Sequence, residues 1–298
     1  MTSSWPVPPQ LPTADLPERV AAAVAAIRAR TALVPSVALT LGSGLGPVVD
    51  DVRAEALFTT TDLPHWPAST VPGHRGRLVV GHWMGVPLVA LAGRSHRYEG
   101  YRLDQVTFAV RVMHALGARV MILTNAVGAM NPEYAPGDLM VAVDHINFIG
   151  RRGLFTTPEL AERRMGRRVA TYYDPSLRDA LLAAAGRAHV GLHHGVLMGG
   201  HGPAYETAAE VRMAAGIGAD VACMSTVHEV TVAAELGCRV ASLSCISNLA
   251  TGLSKTPLRH AEVDEVAREG SGRMRAILAE WLATDVALRP VRQNPPPS

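Results

Sequence analysis

From Tyr205 to Asn248 the chain reads YETAAEVRMAAGIGADVACMSTVHEVTVAAELGCRVASLSCISN. Residues 210–216 and 225–236 are helix-like runs, the second with Ser225 as its expected cap. Residues 220–223 and 239–246 are short runs of small and β-branched residues, which predicts strands. Alternating strands and helices point to an α/β fold with ligand groups gathered at strand ends. Three polar sites stand at those ends: Tyr205 with Glu206, the hydroxyl of Ser225, and the amide of Asn248. A flat heterocycle can stack on Tyr205 and donate a ring N–H to Glu206. Asn248 both donates and accepts, so it can read a ring nitrogen next to a carbonyl.

Working outward, residues 37–41 predict a buried strand that runs straight into Gly42-Ser43-Gly44-Leu45-Gly46. A glycine-rich turn after a strand lets backbone N–H groups converge on an anion, and the Ser43 hydroxyl is a further donor. The spacing is not the G-x-G-x-x-G of a dinucleotide site, and Pro47 stands where its helix should be running. A nucleophile elbow would need a glycine at Leu41. The turn Gly73-His74-Arg75-Gly76 leads into an expected strand pair, 78–81 and 86–91, which ends in Gly93-Arg94-Ser95-His96-Arg97-Tyr98-Glu99-Gly100-Tyr101. Arg94 and His96 lie two apart, so an extended backbone puts both on one side, with donors suited to phosphate.

A helix is expected over 15–30 with Thr13 as its cap, another over 104–116, and a strand over 118–123. That strand meets Thr124-Asn125-Ala126-Val127-Gly128, whose small residues let backbone approach a ligand. A turn and strand over 137–145, a surface excursion over 151–168, a helix over 175–188 and a short strand over 196–198 follow. A last helix over 261–286 has His260 just before it. The expected architecture is a single α/β domain over 13–286, a mixed central β-sheet flanked by helices. Pro-rich tails flank it at 1–12 and 287–298.

The charge of +2 on 298 residues gives no polyanion-binding surface, so no nucleic-acid partner is expected. Cys223, Cys238 and Cys245 have neither metal-ligand nor disulfide spacing and read as small buried hydrophobes in a reducing compartment. No basic-plus-apolar leader pattern opens the chain, and no run approaches the ~20 apolar residues of a membrane span. A cytoplasmic protein without a membrane partner is the expectation.

These segments, taken in order from Leu41 to about Ala267, resemble the trimeric purine nucleoside phosphorylase family. The motifs that carry the resemblance are Leu41-Gly42-Ser43-Gly44-Leu45-Gly46, Gly93-Arg94-x-His96-x-Tyr98-Glu99-Gly100-Tyr101 and Leu123-Thr124-Asn125-Ala126-x-Gly128. With them stand Gly137-Asp138, Asp144-His145-Ile146-Asn147, Tyr205-Glu206-Thr207, Met224-Ser225-Thr226-Val227 with Glu229, and Asn248. The resemblance implies the nucleoside phosphorylase fold and reversible phosphorolysis of inosine and guanosine, deoxy forms included, to free base and α-ribose 1-phosphate. Inorganic phosphate is the implied co-substrate, with no metal or organic cofactor.

By position, the resemblance assigns phosphate to Ser43, His74, Arg94, His96, Ser225 and the backbone N–H of Ala126. It assigns ribose to Tyr98, Met224 and His260, and the base to Tyr205, Glu206 and Asn248. Glu206, Asn248 and His96 are the implied catalytic residues. Asparagine at 248 favours hypoxanthine and guanine over adenine. The family's subunits form a ring of three in which a neighbour completes each ribose pocket.

The chain departs from the family's pattern at five places. Ser95 replaces a bulky apolar residue, Ala129-Met130 a Gly-Leu pair, Cys223 a glycine, and Met165 the aromatic lent by the neighbour. These changes are expected to line the sugar and base pockets. They leave two alternatives beside the main reading: a phosphorylase preferring xanthosine or a modified nucleoside, and a non-catalytic nucleoside-binding relative.

Overall fold

Val37–Leu41 (β1) is buried at every position, because it pairs in parallel on both sides and is covered on both faces. Its neighbours are Val86–Ala92 (β4) and Val120–Ala129 (β5). The computed structural model describes residues 16–42, 44–71, 76–150, 171–254 and 260–284, the side chains of 260–265 and 267 excepted. Beyond β4, Arg77–Trp83 (β3) and Arg53–Thr59 (β2) add antiparallel and end the sheet. Beyond β5, the nine-stranded sheet continues through Val221–Cys223 (β8), His193–Gly199 (β7), Leu139–Asn147 (β6) and Arg239–Leu249 (β9). Strand β9 also pairs in parallel with β5, so β5, β8, β7, β6 and β9 close on one another as a ring. Such closure leaves those strands no free edge.

Seven α-helices are seen among the described residues: Leu16–Arg28 (α1), Leu103–Val106 (α2), Phe108–Ala115 (α3), Pro175–Arg187 (α4), Ala208–Gly216 (α5), Val227–Glu235 (α6) and His260–Thr284 (α7). The two-residue period of β1 splits the core. Ala38 joins one apolar cluster with Ile27, Phe108 and Val230 of α1, α3 and α6. Val37, Leu39 and Leu41 join another, with Leu181 of α4 and Ile277 and Trp281 of α7. Helix α4 starts where Asp174 Oδ1 accepts the Leu177 N–H at 2.8 Å and Pro175 occupies the first turn.

Several expectations are corrected. The single helix expected over 104–116 is two, broken at Thr107 (φ −91°, ψ 6°), whose hydroxyl donates to Leu103 O at 2.7 Å. The strand expected over 118–123 runs on to Ala129, and that over 239–246 to Leu249, because the two pair along their whole length. Asn248 therefore sits inside a strand, opposite Gly128, rather than past its end. Strand β2 was not expected; its first three residues are exposed and only Ala56 and Phe58 point into the core. The cap of α6 is Thr226 rather than Ser225. Residues 13–15, the excursion over 151–168 and both Pro-rich tails lie outside the described residues.

Candidate active site

Strands β1, β4, β5 and β9 are mutually parallel, so their C-terminal ends lie at one edge of the sheet. A cleft of about 820 Å³, counting its open mouth, forms there. Gly42 follows β1 into it, and a Cβ at Gly42 would stand 2.8 Å from Thr124 O and 3.0 Å from Asn125 Cα. Only glycine permits this approach of the β1 turn to β5. Arg94, His96 and Tyr98 arrive from β4, Ala126 from within β5, and Asn248 from within β9. Strand β8 runs antiparallel to β5 beside its end, so the chain leaving Cys223 turns back into the cleft with Met224 and Ser225. Tyr205 and Glu206 precede α5, which opens on a reciprocal cap: Glu210 Oε2 accepts the Thr207 N–H at 2.7 Å, and Thr207 Oγ1 accepts that of Glu210 at 3.2 Å.

The structure thus brings together Arg94, His96, Tyr98, Ala126 and Ser225, and with them Tyr205, Glu206, Met224 and Asn248. Ser43 and His74 lie outside the described residues, as does the side chain of His260, whose backbone begins α7.

One corner of the cleft is polar and nearly dry. Arg94, His96 and Ser225 are 6%, 7% and 6% exposed, which excludes a merely solvated Arg/His loop. Arg94 Nη1 donates to Ser225 Oγ at 3.1 Å and to Thr226 Oγ1 at 3.3 Å, and its Nε lies 3.3 Å from Glu229 Oε2. His96 Nδ1 stands 2.9 Å from Glu99 Oε1, which also accepts the His96 backbone N–H at 2.7 Å. The Nδ1 side of the ring is thus directed at Glu99, and His96 lines the cleft. Burial pushes the Glu99 carboxyl up, but bonds from His96 and from the Thr70 N–H and hydroxyl outweigh it and hold it below the ordinary value. The Tyr98 ring stacks on His96 at 4.8 Å and 15°. Burial, with Glu99 and Tyr205 adding to it and Arg94 opposing, raises the Tyr98 phenol well above its ordinary value, so it stays neutral.

Thr226 holds φ +67° and ψ −53°, and the Val227 N–H donates back to Ser225 O at 2.7 Å. This is a γ-turn of the rare, strained sense, at a β-branched residue, with a cost of roughly 1–3 kcal/mol. Its hydroxyl accepts from Asn125 Nδ2 at 3.0 Å, and its N–H donates to Glu229 Oε2 at 3.2 Å.

Glu206 and Asn248 line the same cleft. A Cβ at Gly200 would stand 3.0 Å from Glu206 Oε1, so the glycine leaves the carboxylate its place. Burial raises the Glu206 carboxyl above its ordinary value and Glu210 adds to this, with its own backbone N–H opposing. An acid limb in kcat/KM that reports Glu206 therefore falls at higher pH than an ordinary glutamate's, because the acceptor carboxylate is lost sooner as pH drops. Glu206→Gln, assayed across pH 4–7, removes that limb. Asn248 Nδ2 donates to Leu249 O at 2.9 Å, and its Oδ1 lies 2.8 Å from Ser247 Oγ. The amide keeps a second N–H and a second lone pair for a ligand.

Sequence reasoning named Glu99, Glu229, Thr226 and Asn125 only as parts of motifs. A signal was available: a carboxylate three residues after His96, and another three after Thr226 in a T-x-x-E pattern. His228, next to Glu229, is fully buried in the first turn of α6 with neither ring nitrogen hydrogen-bonded among the described residues. Burial, aided by Arg94, His96, His145 and Arg97, lowers it to about 3, so it is neutral.

Three of the five departures from the family pattern, Ser95, Ala129 and Met130, do not line the cleft as expected. Ser95 faces the other way and donates to Pro67 O at 3.0 Å. Ala129 and Met130 are buried outside the cleft lining. Cys223 does line the cleft, but its thiol donates to Ser225 O at 3.2 Å and burial pushes it up to about 12. Met165 lies outside the described residues. Among the described residues no group of three or more His, Cys, Asp or Glu side chains is placed to hold a metal ion. None of their helices is long and apolar enough to cross a membrane.

A family profile described as "Phosphorylase superfamily" matches residues 36–283. The chain is 42% identical over 252 residues to purine nucleoside phosphorylase 1 of Bacillus subtilis, covering 85% of this chain and 93% of that one. The chain belongs to the purine nucleoside phosphorylase family. The bovine purine nucleoside phosphorylase is 37% identical over 257 residues, 84% of this chain and 89% of that one. Among solved structures, a Schistosoma purine nucleoside phosphorylase in complex with hypoxanthine superposes with a TM-score of 0.83 at 30% identity, covering 90% of this chain and 97% of that one. The Schistosoma mansoni enzyme in complex with adenosine gives 0.82 at 31%, with the same coverage. Members of the purine nucleoside phosphorylase family are pentosyltransferases, and the cleft edge described above lies within the matched span.

Proposed function

We propose that this phosphorylase cleaves 6-oxopurine nucleosides, inosine and guanosine with their deoxy forms, by reversible attack of inorganic phosphate. The observation that carries this reading is the buried Arg94–Ser225–His96 corner lining one cleft together with Glu206 and Asn248. Hydrolysis by water would leave that donor-rich corner unexplained.

Breaking the glycosidic bond generates an oxocarbenium-like sugar and an electron-rich purine. Phosphate held by Arg94, His96, Ser225 and the Ala126 N–H, with Ser43 and His74 as further donors, stands on the face of the sugar opposite the base. There it stabilises the cation and then bonds to the anomeric carbon. Tyr98 and Met224 pack against the ribose and His260 takes its 5′-hydroxyl. Tyr205 stacks on the base. As negative charge grows on the purine, N7 takes up the proton that the phosphate gives up on bonding to the sugar. Asn248 accepts from that N7–H and donates to O6 while Glu206 accepts from N1–H. These bonds strengthen with the charge, so they act on the transition state more than on the substrate. The phosphate needs no metal to be held, and no organic cofactor enters the scheme. Three copies form a ring in which a neighbour closes each ribose pocket, and the enzyme works in the cytoplasm.

With Ser95, Ala129 and Met130 outside the cleft lining, and the Cys223 thiol already bonded, nothing in the lining among the described residues favours a xanthosine-type base. Free base measured from inosine, guanosine, xanthosine and adenosine, each with and without phosphate, tests the reading. Release from inosine and guanosine that requires phosphate, with adenosine and xanthosine at least about tenfold slower, is the expected result. Release independent of phosphate sinks it.

A further inference from the structure

We propose that Thr226 is a positioning residue of the anion corner: the tight turn centred on it, and its hydroxyl, hold Arg94 and Ser225 in the arrangement that takes phosphate. The inference rests on the phosphorylase reading and adds to it a residue that reaches the anion only through others.

The proton positions can be worked out from the geometry. Thr226 Oγ1 accepts from Asn125 Nδ2 at 3.0 Å and from Arg94 Nη1 at 3.3 Å. A hydroxyl has two acceptor lone pairs and one proton, so with both lone pairs engaged its proton is left for Ser225 Oγ, 3.1 Å away. Ser225 Oγ then accepts from Thr226 and from Arg94 Nη1 at 3.1 Å. Its own proton is left to donate, and it lines the cleft. The network thus turns Ser225 into a donor toward the anion, which an isolated serine hydroxyl would adopt only part of the time.

The backbone makes the same point independently. A β-branched side chain at φ +67° is disfavoured, and glycine would relieve it. The turn is nonetheless clamped from three directions. The Val227 N–H and the Cys223 thiol both donate to Ser225 O, at 2.7 and 3.2 Å. The Thr226 N–H donates to Glu229 Oε2, which also lies 3.3 Å from Arg94 Nε. Thr226, Glu229 and Asn125 are 0%, 1% and 2% exposed, so none of these bonds is diluted by water. A residue needed only to connect β8 to α6 would have no reason to be threonine. One that must organise an arginine and a serine from beneath does.

Three variants separate the hydroxyl from the turn. Thr226→Val keeps the shape and the strain but removes the donor and acceptor. Thr226→Gly removes the strain as well. Thr226→Ser keeps the hydroxyl. Initial rates are measured with phosphate and nucleoside varied in turn, and thermal denaturation is followed on each protein. The expected result is a phosphate KM raised about tenfold in the valine and glycine variants, the loss of one hydrogen bond to a charged group. Nucleoside KM stays within about twofold, and serine restores the wild-type phosphate KM. An unchanged phosphate KM in valine and glycine overturns the proposal. So does a rise shared equally by both substrates with a fall in melting temperature, which marks a structural role alone. Wild-type protein that releases base without phosphate sinks the phosphorylase reading instead, and that result is visible before any variant is made.

Discussion

Asn248→Asp lowers kcat/KM for inosine roughly a hundredfold and turns the preference toward adenosine, and Asn248→Ala lowers it for both. The wild-type amide is held by Leu249 O on its nitrogen and by Ser247 Oγ at its oxygen, so its orientation is set before a base arrives. A preset donor toward O6 costs no reorganisation as charge develops there, and one such contact is worth about 3 kcal/mol, or about a hundredfold in rate. Aspartate offers only acceptors. It repels O6 and accepts from a 6-amino group, so the ratio of inosine to adenosine rates falls further than the inosine rate alone. Alanine supplies neither bond and leaves the ratio near unity. Steady-state kinetics on both nucleosides at saturating phosphate checks this. An aspartate variant with the wild-type ratio contradicts the role given to Asn248.

Arg94→Ala removes saturation by phosphate and also destabilises the fold. The side chains of Arg94 and Glu229 are 3% and 1% exposed and lie 3.3 Å apart. Removing one member of such a buried pair leaves the other charge uncompensated, at a cost of about 3–5 kcal/mol. Glu229→Gln in the same chain neutralises the stranded carboxylate. The Arg94→Ala/Glu229→Gln double variant therefore recovers much of the stability and none of the phosphate binding. Urea denaturation with phosphate titration of the wild type and the two variants separates the two losses. Equal stability of the single and double variants would show that the pair contributes nothing to the fold.

What was legible in the sequence and what was not divides along physical lines. The bounds of β1 and the residues at the strand ends were readable, because a buried strand followed by glycine is a local pattern. So was the delivery of Arg94 to the cleft, since the parallel strands β1, β4 and β5 bring their C-terminal ends to one edge. The closure of the sheet was not, because the antiparallel pairing of β6 with β9 joins segments about a hundred residues apart. Strand β2 was missed because an edge strand with exposed Arg53 and Glu55 carries little apolar signal. The positive φ of Thr226 contradicts the propensity of threonine and is imposed by its partners, so no local rule finds it. Ser95 is a different case. The two-residue alternation that put Arg94 and His96 on one side already placed Ser95 on the other, away from the cleft. The burial of His228 depends on what packs over the first turn of α6 and is written nowhere near residue 228.

The central claim is that phosphate, and not water, receives the sugar. Phosphorus NMR followed through a reaction of inosine with the wild-type protein, with proton NMR reading base and free sugar in the same tube, tests this directly. The account predicts an α-configured ribose 1-phosphate resonance growing in step with hypoxanthine, as inorganic phosphate is consumed mole for mole. Hypoxanthine appearing beside free ribose, with the phosphate signal unchanged, would contradict it.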